Sequence, residues 1–140
     1  MQIIQCTAQD AHMLAVMNKR LIEDEKSRNP MTPEELETRM NGFLRSEYSA
    51  YFFKDHDVTV GYALVRHTDS PPYLRQFYIE RVYRRRHYGR EAFRKLMDFL
   101  QAETINVDVL PWNEAGLRFW KSLGFMETAI SMEYRKNPEN

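Results

Sequence analysis

The chain has 140 residues, with 20 Lys and Arg balanced against 20 Asp and Glu. That length suits one domain and excludes a two-lobed enzyme with a separate cofactor domain. At 43% hydrophobic and 13% aromatic it can bury one core, while a lone cysteine, Cys6, excludes a disulfide framework or a cysteine-based zinc site.

Residues 1–6 (MQIIQC) read as a first strand, with Cys6 a small core residue. No basic region followed by an apolar stretch marks a secretory leader, and no apolar run is long enough to span a membrane. A cytoplasmic domain is the expectation. Ala11, Leu14, Ala15, Leu21 and Ile22 recur at helical spacing, so about 9–26 is a helix. Thr32-Pro33-Glu34-Glu35 is a capping box with proline at the first helical position, and it opens a second helix through about Arg45. Ser49–Lys54 and Thr59–His67 are strands joined by a tight turn at Asp55–Asp57. Tyr73–Val82 is a further strand. Ala92, Phe93, Leu96, Met97 and Leu100 form a helical stripe over about 88–102. Ile105–Leu110 is a β-branched strand. Asn113 caps a helix through Leu123, with Gly124 suited to the position after its end. Phe125–Arg135 is expected to supply a last strand or two. The order βααβββαβαβ predicts a single α/β (α+β) domain over 1–136, with a mixed central sheet and helices on both faces. The tail 137–140 is expected to fray.

The zero net charge is a cancellation. Arg75–Lys95 holds eight basic and two acidic residues, and Glu23–Glu47 holds seven acidic and four basic ones. The basic excess centres on Arg84-Arg85-Arg86-His87-Tyr88-Gly89-Arg90, between a strand and a helix. Free N–H groups at a helix start attract anions, and arginines beside them recognise phosphate. Gly89 permits close approach to the backbone. The pattern suits a pyrophosphate cradle, although it lacks both the P-loop ending and the full dinucleotide glycine pattern. A solvated basic turn and a nucleic-acid patch with interleaved Tyr and His are the competing readings.

A second block, Val107-Asp108-Val109-Leu110-Pro111-Trp112-Asn113-Glu114-Ala115-Gly116-Leu117-Arg118-Phe119-Trp120-Lys121-Ser122-Leu123-Gly124-Phe125, runs from strand to Asn-capped helix to Leu-Gly-Phe. With the arginine turn it resembles the GNAT (Gcn5-related N-acetyltransferase) superfamily. The two blocks match Q/R-x-x-G-x-G/A and N-x-x-A/G-x-x-x-Y/W-x-x-x-G-F. They span about 77–125, and the element order extends the likeness over nearly the whole chain.

The resemblance implies acetyl-CoA as cosubstrate, and His12, His56 and His67 show no ligand-type spacing, so no metal site is expected. Backbone N–H groups from Arg84 to Arg90 would bind the coenzyme's pyrophosphate, with His87 standing where the family has its first glycine. Phe77, Tyr78 and Ile79 would pair with the pantetheine arm, and an N–H near Tyr78 or Ile79 would polarise the thioester carbonyl. Asn113 would touch the same arm, or act as a plain helix cap. Trp120 occupies the position of the family's proton-donating tyrosine. Indole cannot serve as an acid, so Trp120 lines the channel or is a core aromatic.

The implied reaction is direct attack of an amine on acetyl-CoA, which needs a proton acceptor. Glu80, Glu25, Asp24 and Tyr78 are the candidates. The run Glu23-Asp24-Glu25 would draw a cationic amine, or is a solvated helix end. The expected partners are acetyl-CoA and a small-molecule or peptide amine, with a homodimer through the last strands. A catalytically silent acyl-CoA-binding module is the alternative, followed by a nucleic-acid-binding domain.

Overall fold

A computed structural model describes residues 1–137. The tail at 138–140 lies outside the described residues. The chain runs β1 (Gln2–Gln5), α1 (Ala11–Asp24), α2 (Pro33–Leu44), β2 (Tyr48–Asp55), β3 (Val58–Arg66), β4 (Tyr73–Ile79), α3 (Tyr88–Leu100), β5 (Asn106–Val107) and α4 (Glu114–Ser122). Short 3₁₀ turns at Ala8–Asp10 and Arg81–Tyr83 precede α1 and follow β4. The five strands form one sheet in chain order, antiparallel from β1 to β4 and parallel between β4 and β5.

Local chemistry explains most boundaries. Thr32 accepts from Glu35 N–H and the Glu35 carboxylate accepts from Thr32 N–H, closing the expected capping box. Asn113 Oδ1 accepts from Gly116 N–H at 3.0 Å and starts α4. The middle stretches of β2 and β3 are buried because both sheet faces are covered. On one face Leu14, Met17 and Leu21 of α1 and Met40 of α2 meet Ala50, Phe52, Tyr62 and Leu64. On the other, Ala92 and Leu96 of α3 meet Phe53, Ala63, Val65 and Leu74, with Trp120 of α4 at the margin. Cys6 is buried in the first cluster, and burial pushes its thiol up to about 12, so it carries no nucleophilic thiolate. No helix among the described residues is long and apolar enough to cross a membrane.

Three expectations for strands need correction. β4 ends at Ile79 rather than Val82, and β5 is Asn106–Val107 rather than 105–110. The expected last strand at 125–135 has no regular structure and pairs with no strand among the described residues. Its Met126, Ile130, Met132 and Tyr134 are 79–92% exposed. The alternation of apolar residues there is real, but a strand needs a neighbouring edge, and the two-residue β5 offers almost none.

Candidate functional site

The site begins at an irregularity in β4. Leu64 pairs with Gln76 and Val65 with Leu74, which leaves Arg75 as an extra, bulged residue. β4 contacts β5 only through Tyr73–Asn106 and Leu74–Val107, and beyond that point the two strands part. Glu80 N–H donates to Val60 of β3 at 2.8 Å. Strand alternation therefore aims the N–H groups of Phe77 and Ile79 into the gap, while that of Tyr78 faces β3. Of the two residues expected to supply a carbonyl-polarising N–H, Ile79 directs its N–H away from β3 and Tyr78 directs its own toward β3. The Phe77 ring closes one wall against Phe53, Phe93, Phe119 and Trp120, at centroid distances of 5.4, 6.5, 5.9 and 5.3 Å. Trp120 thus joins an aromatic cluster next to the gap.

The arginine turn continues from β4. Arg85 and His87 both take left-handed backbone conformations, with φ of 65° and 64°. His87 in the left-handed region, followed by the right-handed start of α3, turns successive N–H groups toward one side, the geometry of an anion nest. His87 is the residue before α3 and gives no side-chain cap, so the first amides of α3 keep their N–H groups free. A left-handed non-glycine residue is strained by about 1 kcal/mol. His87→Gly is expected to raise the melting temperature by a few degrees in a thermal unfolding scan. A fall would show that the His87 side chain contributes contacts that outweigh its strain.

The side chains of the turn divide by role. Arg84 is built into the fold: its Nε donates to the Ile79 carbonyl at 2.8 Å, and its Nη2 binds Asp24. Arg90 donates to the Ser122 carbonyl at 3.2 Å, and the Tyr88 hydroxyl to Asp55 at 2.6 Å. Arg85 and Arg86 are exposed and supply the charge that faces solvent beside the nest. Gly89 answers to a packing demand, because a Cβ there would stand 3.0 Å from the Phe119 ring. Asn113 is occupied by its capping bond to Gly116, so its amide NH₂ remains for other partners.

The end of α1 faces this strand and turn. Asp24 takes Arg81 at 2.8 Å and also Arg84. Burial works to raise the Asp24 pKa, but hydrogen bonds and charge from Arg84 and Arg81 outweigh it and hold the carboxyl below its usual range. Asp24 is therefore neither a base nor part of a solvated acidic end. A depressed carboxylate pKa stabilises the fold above the unfolded value and loses that effect as pH falls through the folded one. Asp24→Asn is expected to cost about 1–3 kcal/mol at neutral pH, with the deficit vanishing in acid, as read by denaturant titrations at several pH values.

The other carboxylates differ. Glu80 is held by Arg20 through bonds of 2.7 and 3.0 Å. Glu25 is half-buried, and its carboxylate makes no hydrogen bond or ion pair among the described residues. Burial, then the charge of Asp24, pushes the Glu25 pKa up. Beside it the buried Tyr62 donates to Gln76 Oε1 at 2.7 Å. Tyr78 is buried against Tyr62 with ring centroids 6.2 Å apart, and its pKa is raised by burial and then by Glu80.

Sequence reasoning passed over Trp112. Its indole Nε1 donates to the Glu25 carbonyl at 3.1 Å and fastens the segment after β5 to the end of α1. It passed over Arg39 as well, although Arg39 sits inside the apolar stripe Leu36, Met40, Phe43, where a charge is out of place. Among the described residues no cluster of three or more His, Cys, Asp or Glu is placed to hold a metal ion.

The model of the acetyltransferase (GNAT) family matches residues 14–125. No curated protein sequence matches the chain. Solved structures do. A predicted acetyltransferase with acetyl-CoA from Clostridium acetobutylicum is 17% identical, with a TM-score of 0.74 over 96% of this chain and 95% of that one. The aminoglycoside N-acetyltransferase AAC(6')-Iy in complex with CoA is 17% identical, with a TM-score of 0.72 over 98% and 95%. A ribosomal-protein-alanine N-acetyltransferase from Brucella melitensis is 11% identical, with a TM-score of 0.69 over 96% and 98%. At these identities the likeness is one of fold.

Proposed function

The chain belongs to the acetyltransferase (GNAT) family, and from that premise we propose that it is an acetyl-CoA-dependent N-acetyltransferase that acts by direct attack of an amine in the cytoplasm. The observation that carries this reading is the parting of β4 and β5. It opens a backbone edge, the N–H groups of Phe77 and Ile79, that leads directly into the nest at 84–90. Pantetheine would pair along Phe77–Ile79, with Asn113 and Trp120 flanking it. The pyrophosphate would lie on the N–H groups from Arg84 to Arg90, with Arg85 and Arg86 adding charge.

Glu25 is the base in this reading, because Glu80 and Asp24 are committed to arginines and Glu25 is not. The amine nitrogen attacks the thioester carbonyl carbon as Glu25 takes its proton. The N–H of Ile79 or Phe77 stabilises the oxyanion. The C–S bond then breaks, and the sulfur leaves with the bonding pair and is protonated. Overall one proton passes from nitrogen to sulfur. Tyr78 and Glu80 shape the base's surroundings.

The test is release of free thiol from acetyl-CoA across small amines, aminoglycosides, polyamines and peptides. Amine-dependent release is the expected result. The silent acyl-CoA-binding module is favoured by Trp120, an aromatic without an acidic proton, in the tyrosine position. Tight acetyl-CoA binding without transfer to any amine would establish the module instead.

A further inference from the structure

On the sheet face carrying α1 and α2, two guanidinium groups stand without a carboxylate. Arg39 of α2 donates from Nη2 to the buried Asn18 Oδ1 at 3.0 Å. Its Nε is buried and has no hydrogen-bond partner among the described residues. Arg75, the bulged residue of β4, donates to the Tyr48 hydroxyl at 3.3 Å. Both guanidiniums lie over the Phe43 ring, 5.4 and 4.9 Å from its centroid. Their partners among the described residues are thus neutral groups and aromatic faces. Burial, then the charge of Arg75, lowers the Arg39 pKa.

A buried cationic donor without a partner is costly, and a like charge beside it adds to the cost. A bound anion would offset both. Arg75 also lines an open cleft of about 550 Å³ with Arg66, Tyr73 and Asn106, while Arg39 lies outside that lining. The two carboxylates of that cleft are engaged, Asp69 with Arg66 and Asp108 with the Tyr73 hydroxyl. Arg75 also lies two residues before Phe77, roughly 7 Å along the strand from the N–H that faces the gap. Gln76, the neighbour of Arg75, accepts from the fully buried Tyr62 hydroxyl at 2.7 Å.

We propose that the acceptor is a small amine bearing a carboxylate, its carboxylate held by Arg39 and Arg75 and its amine directed toward Glu25. The proposal rests on the acetyl-transfer reading and names its substrate class. It shifts recognition from the acidic run at 23–25, read from the sequence as drawing a cationic amine, to the arginines: Asp24 is neutralised by Arg81 and Arg84. Aminoglycosides and polyamines are then poor acceptors, whatever structural neighbours use.

The experiment compares free amino acids and dipeptides with their C-terminal amides in the thiol-release assay. The expected preference for the acid over its amide is about 10- to 100-fold in kcat/KM, the worth of a charge-assisted bond. Arg75→Gln should bring the ratio near one, and Arg75→Lys should restore part of it. Arg118→Gln, on the exposed side of α4, should leave it unchanged. Arg75 is exposed, so its variants are expected to fold. Amides turning over as well as acids, or a preference that survives Arg75→Gln, would overturn the proposal. Absence of transfer to any amine would instead remove the transferase reading. In that case calorimetric titration of the CoA-loaded protein with the same acids and amides still decides the pocket: acid-selective binding lost in Arg75→Gln supports it, and no binding overturns it.

Discussion

Glu25→Gln is expected to lower kcat by about 100-fold or more, the ordinary contribution of a positioned base, while the KM for acetyl-CoA stays unchanged. The amide keeps the shape of the side chain and removes only its ability to take a proton. The pH profile should change with it. In the wild type the rate rises with pH as Glu25 deprotonates, with a midpoint above the usual carboxylate range, because burial and then Asp24 raise its pKa. The variant should lose that limb and keep the alkaline behaviour of the amine. Stability should move the opposite way. A carboxyl whose folded pKa is raised binds its proton more firmly in the folded chain. The fold therefore loses stability as pH rises from the ordinary value through the raised one. Glu25→Gln should melt higher than the wild type at neutral pH and equally in acid. A variant that retains wild-type kcat would remove Glu25 from the reaction. One that loses kcat together with stability at neutral pH would point to misfolding.

The second large effect is expected at Gly61. A Cβ on Gly61 would stand 2.0 Å from the Tyr78 carbonyl oxygen and 3.0 Å from both the Tyr78 carbonyl carbon and Ile79 Cδ1. The nearest obstacle is backbone of the neighbouring strand, so no rotamer change relieves it. Gly61 is paired with Ile79, and Gly61→Ala must push β4 away from β3 where β4 borders the gap. The expected cost is about 3 kcal/mol, or roughly 10 °C in melting temperature for a domain of this size. Because the displaced backbone is that of Tyr78 and Ile79, the acetyl-CoA KM should rise in the fraction that remains folded. Melting within 2 °C of wild type would show that the strands yield more easily than this geometry allows.

The parts of the fold written in neighbouring residues were legible in the sequence. The capping box at Thr32, the cap at Asn113, the hairpin turn after Asp55 and the stripe of α3 each depend on spacings of a few positions. The basic turn between β4 and α3 was legible for the same reason. What escaped depends on distant partners. The length of β5 is set by where β4 bulges, at Arg75, and no local signal in Ile105–Leu110 reports that. The segment 125–135 has the alternation of a strand, but pairing is decided elsewhere. The sequence presented Arg84, Arg85 and Arg86 as equivalents. Only contacts with Asp24 and Ile79 separate the structural Arg84 from its exposed neighbours. Likewise Glu23, Asp24 and Glu25 read as one acidic run, and the fold gives them three different surroundings.

The bond between Asp24 and Arg84 joins positions 60 residues apart in the chain. One end belongs to the arginine turn proposed to hold the coenzyme's phosphates, and the other adjoins the proposed base. On the proposed reading, this bond connects the place of the coenzyme's phosphates with that of the acceptor. Thermodynamics makes any such influence mutual: the factor by which acetyl-CoA alters acceptor affinity is the factor by which the acceptor alters acetyl-CoA affinity. Donor and acceptor then behave as halves of one composite ligand. Titrating each in the presence of the other measures the strength of that reciprocity directly.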